Sequence, residues 1–246
     1  MFNIFHYDLK KVVCLSFIIL LVISCKKEIP LTFSEEIITS DDHAIIEIVY
    51  PKASGNELVS NAINKSIEDH ISSTLNFEEE ENSISFKEAV NFFNSNYIKF
   101  KTEFPESSQK WEALLDGEVV YESPELICIA INTYIDTGGA HGNGSITFIN
   151  FNPENGLLFT IEDLIKDSNL FKDLVQKHFV KQIEKDDDKS LDNYFFEDDF
   201  QLPSTLGFSD EGVIILYNTY EIAAYSEGIT EFTIPYSEVS SFLKIN

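Results

Sequence analysis

Five histidines, three cysteines and 42 acidic side chains are the groups in this chain of 246 residues from which a metal site or a nucleophile would have to be drawn. Zinc hydrolysis needs about three protein ligands around one ion, with a further position left open. His43, His70, His141 and His178 fall singly on a strand edge, two helices and a loop, and no H-E-x-x-H pair occurs. No metal ligand set is read, and no cofactor is expected. Gly144-Ser145 lacks the glycine two positions on that a nucleophile elbow requires. Neither a P-loop nor a dinucleotide fingerprint is present. With so many acids, some carboxylate pair always falls at a spacing suited to glycoside hydrolysis, so such pairs carry no information. Asp186–Asp188 and Glu197–Asp199 invite calcium, yet neither has the alternating oxygen ligands, central glycine and distal glutamate of an EF-hand loop. The reading leans away from catalysis.

Two stretches remain that could bind something. Asn132 to Phe151 joins two β-patterned runs through a turn that holds four of the ten glycines, Gly138, Gly139, Gly142 and Gly144. Glycine visits positive φ without a Cβ penalty, so such a cluster marks a sharp bend or a backbone that something must approach closely. Asp136, Gly138, Gly139, His141 and Asn143, with Thr137, form a candidate ligand-binding loop able to hold a sugar or a peptide edge. The alternative is that the glycines only satisfy a tight turn and His141 packs or caps carbonyls beneath it. A second candidate motif is Tyr220, Glu221 and Tyr225, whose tyrosines could stack on a sugar ring.

The first 25 residues read as an export signal. Lys10 and Lys11 form the basic region, and Val12 to Ile23 form an apolar run of twelve, short of the ~20 residues that span a bilayer. Val22-Ile23-Ser24-Cys25 has the form of a lipobox, with Cys25 as the lipid attachment residue. Two or more acyl chains, at ~0.8 kcal/mol per buried CH2, would hold the mature N-terminus on a membrane. The expected location is the cell envelope, as a membrane-anchored lipoprotein facing the periplasm or the surface. Cys14 leaves with the leader, so Cys128 is the remaining thiol and reads as a small core hydrophobe. The formal charge is −25 and arginine is absent. Nucleic acid and other polyanions are therefore repelled, while a cationic protein or a neutral glycan is acceptable.

Lys26 to Ser40 reads as a tether with little pattern. Ile45 to Tyr50 reads as a strand, and Val59, Ile63, Ile67, Ile71 and Leu75 keep helical spacing over Glu57 to Leu75. His70 lies beside that stripe as a half-buried helical histidine. Glu78 to Glu81 suits a solvated loop. Phe86, Ala89, Val90, Phe93, Tyr97, Phe100 and Phe104 mark a second helix ending before Pro105. Asp116-Gly117, between Trp111–Leu115 and Glu118–Tyr121, gives a short hairpin signal. From Leu126 to Ile135 the isoleucines at 127, 129, 131 and 135 share one face, with Leu126, Cys128 and Ala130 on the other. A strand apolar on both faces belongs inside a covered sheet. Asn155-Gly156 turns the chain toward Leu157 to Thr160, and Ile161–Ile165 reads as a helical turn. Leu170 to Ile183 reads as a helix with Ser168 and Asn169 as cap candidates and His178 on its apolar side. Strands near Val213–Asn218 and Ile229–Ile234 and a helix after Pro235 close an α+β chain, an antiparallel meander covered by helices.

Tyr134 with Gly138-Gly139-Ala140-His141-Gly142, the Asn152–Leu157 turn with Ile161-Glu162-Asp163-Leu164-Ile165, and Tyr220 to Gly228 followed by Phe232-Thr233-Ile234-Pro235 resemble the PdaC/RsiV-like family of bacterial envelope proteins. The resemblance covers roughly residues 41–246. It implies a PdaC-like module over 41–150 and an RsiV-like C-terminal module over 151–246, after a signal peptide (1–25) and a tether (26–40). In one setting of the family the extracytoplasmic part of an anti-sigma factor binds lysozyme. In another, the module precedes a peptidoglycan deacetylase domain. Neither a transmembrane anti-sigma segment nor a deacetylase domain is expected of this chain. The resemblance thus implies a binding or sensing module for cell-wall glycan or a cationic, lysozyme-like protein. The alternative is a hydrolase or deacetylase of envelope carbohydrate.

Overall fold

The computed structural model describes residues 30–41, 43–77, 84–186 and 189–245. The export signal, Cys25, the acidic run Glu78–Glu81 and residues 187 and 188 lie outside the described residues. No helix among the described residues is long and apolar enough to cross a membrane.

Strand β1 (Thr32–Ser40) pairs antiparallel with β2 (Ile45–Ser54), so most of the expected tether is the outer strand of a sheet. Phe33 and Ile38 pack against the core from it, but five residues apart they fall on opposite faces of the strand and give no alternation to read in sequence. Two helices follow, α1 (Glu57–Leu75) and α2 (Phe86–Glu103). Asn56 caps α1 through its side chain, and Ser85 with Glu88 forms a reciprocal capping box on α2. The chain returns as β3 (Glu112–Glu122), parallel to β2, and continues through β4 (Ile127–Asp136) and β5 (Asn143–Phe151), each antiparallel to the last. The sheet order is β1-β2-β3-β4-β5. The meander is therefore interrupted by one parallel pair, because the two helices lie between β2 and β3 and supply the crossover that parallel strands require.

The Asp116-Gly117 hairpin does not form, since both residues lie within the single strand β3. Gly117 is there for closeness: a Cβ on it would stand 2.7 Å from Ile131 Cδ1 and 3.1 Å from Pro51 Cδ. Leu157–Thr160 gives only an isolated bridge, Phe151 to Leu158. A short helix α3 (Ile161–Leu164) follows, and then α4 (Ser168–Ile183). The cap of α4 is Asp167, which accepts from Asn169 N and Leu170 N, rather than Ser168 or Asn169. A second sheet of β6 (Leu206–Phe208), β7 (Gly212–Tyr217) and β8 (Thr230–Pro235) precedes α5 (Tyr236–Val239).

Two cores meet at β4. Ile127, Ile129 and Ile131 face the first core, built with Ile46, Ile48 and the buried stripes of α1 and α2. Leu126, Cys128 and Ala130 face the second, built with Phe171, Val175 and Phe179 of α4 and the short sheet. The outward backbone of β5 is met by side chains and a loop. Asn218 brackets Ile146, accepting from its N at 2.7 Å and donating to its O at 3.0 Å. Thr205 Oγ1 accepts from Phe148 N at 3.2 Å, and Phe159 N donates to Asn150 O at 2.8 Å.

Gly117→Val forces a branched side chain against Ile131 and should lower stability by about 1–3 kcal/mol, read as a fall in the thermal midpoint; an unchanged midpoint would refute the close approach. Burial pushes the Cys128 thiol up to about 12, so it stays protonated and poorly nucleophilic at pH 8. With Cys14 and Cys25 replaced by serine, the native chain should resist a thiol reagent at pH 8 and react fully once unfolded. Prompt reaction of the native chain would contradict this burial.

Candidate functional site

The glycine loop begins where β4 ends. Asp136 Oδ1 accepts from Gly138 N at 2.8 Å, which starts the turn, and Gly138 then takes φ +84°. A side chain there is strained by that φ and crowded as well: a Cβ would lie 3.1 Å from Phe100 Cζ and 3.2 Å from Trp111 Nε1. The root of the loop is thus held against the aromatic cluster in which Phe93, Tyr97 and Phe100 surround Trp111 at centroid distances of 5.5–6.0 Å. Gly142 has a different reason. Its Cβ would fall 2.3 Å from both Cζ and the hydroxyl of Tyr134, so that ring lies directly against the backbone. Gly139 and Gly144 carry no such demand, with nearest atoms at 3.9 Å and 3.7 Å.

His141 is exposed rather than tucked beneath the turn. Its Nδ1 lies 2.8 Å from Gly142 O, so one ring nitrogen does tie to the turn, as the packing alternative supposed. Its ring, however, stacks on Tyr225 at a centroid distance of 4.0 Å and an interplanar angle of 26°. Tyr225 lies in a single 3-10 turn, Tyr225–Glu227, closed by Gly228 at φ +71°. Tyr220 lies 5.5 Å from Tyr225, and it holds φ 67°, a left-handed conformation unusual for an aromatic residue. The two candidate motifs, about eighty residues apart in sequence, therefore meet. Tyr134, Tyr220 and Tyr225 are 37, 55 and 41% exposed, which leaves a surface of ring faces open to solvent.

Polar side chains also join the two halves. The Thr219 hydroxyl lies 3.2 Å from Asn143 Oδ1 and 3.4 Å from Gly144 O. Glu221, a candidate ligand residue in sequence, has both carboxylate oxygens engaged: Oε2 accepts from Asn218 N at 2.8 Å and Oε1 from Ser204 N at 2.7 Å. It works as a clamp that presents Asn218 to β5. The phenol of Tyr134 is held above its ordinary range, first by desolvation and then by the nearby charges of Asp136 and Glu112. Tyr134, Asn218 and Thr219 were not singled out as site residues from composition. Only the motif that carries the family resemblance, Tyr134 with Gly138 to Gly142, drew attention to one of them.

The remaining histidines stay apart. His43 is exposed, and burial lowers the pKa of the half-buried His70. His178 Nε2 lies 3.1 Å from Glu238 Oε2 and its ring lies parallel to Phe232, so it ties α4 to α5. Among the described residues no group of three His, Cys, Asp or Glu side chains converges to hold a metal ion.

Comparison with known proteins follows the same division. Residues 38–144 match the family model described as deacetylase PdaC, and residues 162–237 match DUF3298, described as a protein of unknown function. The anti-sigma-V factor RsiV of Bacillus subtilis (strain 168) is 30% identical over 179 residues, which is 65% of this chain and 61% of that protein. The chain thus spans about three-fifths of the length of that relative. Crystal structures of DUF3298 family members from Bacteroides fragilis and Pseudomonas aeruginosa are each 18% identical, with TM-scores of 0.64 and 0.57. They cover 89% and 88% of this chain and 95% and 94% of their own, a likeness of fold.

Gly142→Ala must push the Tyr134 ring aside, whereas Gly139→Ala meets nothing closer than 3.9 Å. The proton NMR contacts between the His141 and Tyr225 rings should weaken in the first variant and persist in the second. Equal behaviour of the two would remove the role given to Tyr134.

Proposed function

The chain belongs to the PdaC/RsiV-like family, and on that footing we propose that it is a lipid-anchored binding and sensing module of the bacterial cell envelope, held through Cys25, whose ligand is cell-wall glycan. The observation that carries this reading is the stack of His141 on Tyr225. One ring comes from the loop that ends the PdaC-matched segment and the other from the DUF3298-matched segment. The recognition surface therefore exists only while the two are docked, a suitable arrangement for a module that reports occupancy.

A pyranose presents one apolar face of C–H groups and an edge of hydroxyls. Exposed tyrosine faces accept the first at small entropic expense, since each ring has few rotatable bonds. The loop around Asp136, Thr137 and Asn143 offers oxygens for the second. A lysozyme-like protein is the second ligand class, drawn from the resemblance to anti-sigma relatives and from an acidic body of formal charge −25. The name of the PdaC model supports the other reading, a deacetylase or hydrolase of the same glycans; turnover that disappears in His141→Ala while the fold persists would establish it.

Titration of residues 26–246 with peptidoglycan fragments tests the binding reading. Each ring contact contributes about 0.5–1.5 kcal/mol, so Tyr225→Ala and His141→Ala should each weaken binding by about 2- to 10-fold. Affinity unchanged in both variants would sink the platform as the glycan site.

A further inference from the structure

Beside the end of β5 lies a cleft of about 330 Å³, at the small end of the ~300–1,000 Å³ usual for ligand pockets. One wall runs from Ser204 to Leu206, where β6 begins; the other runs from Phe159 through Leu164 and includes α3. Both walls are fastened to β5. Thr205 Oγ1 accepts from Phe148 N at 3.2 Å, and Phe159 N donates to Asn150 O at 2.8 Å. The Phe148 ring is fixed as well, since a Cβ on Gly207 would stand 2.7 Å from its Cε1. The cleft is therefore held in shape by the fold.

Asn150 lies at its floor, only 5% exposed. Its Nδ2 donates to Leu206 O at 2.8 Å, which fixes the amide, because the reversed orientation would set two carbonyl oxygens against each other. The planar group thus turns Oδ1 away from the Leu206 wall and toward the cleft. There Oδ1 is buried and has no hydrogen-bond partner among the described residues. A buried acceptor left unmet costs stability, and each one in a native fold calls for an explanation. A gap left by packing alone would be apolar at its floor.

The lining selects the ligand. Phe148, Phe159, Ile161 and Leu164 give apolar walls, and Oδ1 asks for an N–H or O–H group. The charged side chain of the lining is that of Glu162, which is exposed, and Lys244 donates to the Glu162 carbonyl. An ammonium would give up its water at the floor for one neutral acceptor, which is costly, and a carboxylate brings no donor. We propose that this cleft binds a small uncharged molecule with an apolar body and one hydroxyl or amide N–H, which Asn150 Oδ1 receives. At ~3.3 Å per residue the site stands about 20 Å along β5 from Gly144, so it goes beyond the glycan reading and does not depend on it.

Amide chemical shifts of residues 26–246, whose body Leu31–Asn246 is one unit, report the titration. Benzyl alcohol serves as the uncharged donor, benzyl methyl ether as a like body with its donor capped, and benzylammonium as the charged donor. The alcohol should shift the Asn150, Phe159 and Leu206 amides with an affinity of about 1 mM, as suits so small a probe. It should bind about 2- to 10-fold more tightly than the ether, the worth of one hydrogen bond, and more tightly than the ammonium. Asn150→Leu removes Oδ1 at similar volume and should level alcohol and ether, a change that a merely structural asparagine would not produce. Ser204→Phe crowds the cleft from an exposed position on its wall and should weaken the alcohol by about tenfold, which keeps the proposal testable if Asn150→Leu fails to fold. No shift at these amides with any probe, equal wild-type affinity for alcohol and ether, tighter binding of the ammonium, or a preference that survives Asn150→Leu each overturns it. Loss of glycan binding in Tyr225→Ala leaves this cleft standing.

Discussion

The first half of β4, with Leu126 just before it, has no face to give to water. From Leu126 to Ile131 every side chain is apolar and buried, alternately into one core and the other. Burying a leucine or isoleucine contributes roughly 1.5–3 kcal/mol, so stripping either face of its cover would forfeit a sum comparable with the whole stability of an ordinary domain, about 5–15 kcal/mol. The helical layer and the C-terminal segment are consequently two covers for one strand. Leu31–Asn246 accordingly clusters as one unit, although two family models divide it.

How much of this is visible in residues alone depends on whether the cause is local. The stripe from Val59 to Leu75 reads correctly because one helix meets one sheet and the period carries all the information. The two-faced character of β4 reads for the same reason. Asp116-Gly117 misleads because its glycine answers a contact with Ile131, which lies in another strand. β1 is missed because an outer strand buries little, and Thr32–Ser40 shows hardly any alternation. The parallel pairing of β2 with β3 depends on where two helices lie down, a decision no single segment contains.

The site divides in a similar way. The glycine density between Gly138 and Gly144 announces a special backbone, but only the structure separates the two glycines that a neighbouring ring crowds, Gly138 and Gly142, from the two that meet nothing close. The tyrosine motif could be picked out, whereas its contact with His141 could not, since no spacing rule relates residues so far apart. Glu221 shows the opposite error. A conspicuous carboxylate in a motif invites a ligand, and its oxygens prove to be spent on backbone N–H groups, as buried or half-buried polar groups generally are.

The stitching along β5 has a consequence of its own. An outer strand normally offers a ladder of unpaired amides on which a foreign strand can grow. Here Asn218, Thr205 and the Phe159 amide occupy those positions with groups that cannot be extended into a further strand. That flank is sealed against templated polymerisation, and the body can be crowded at high local density without zippering to its neighbours along it.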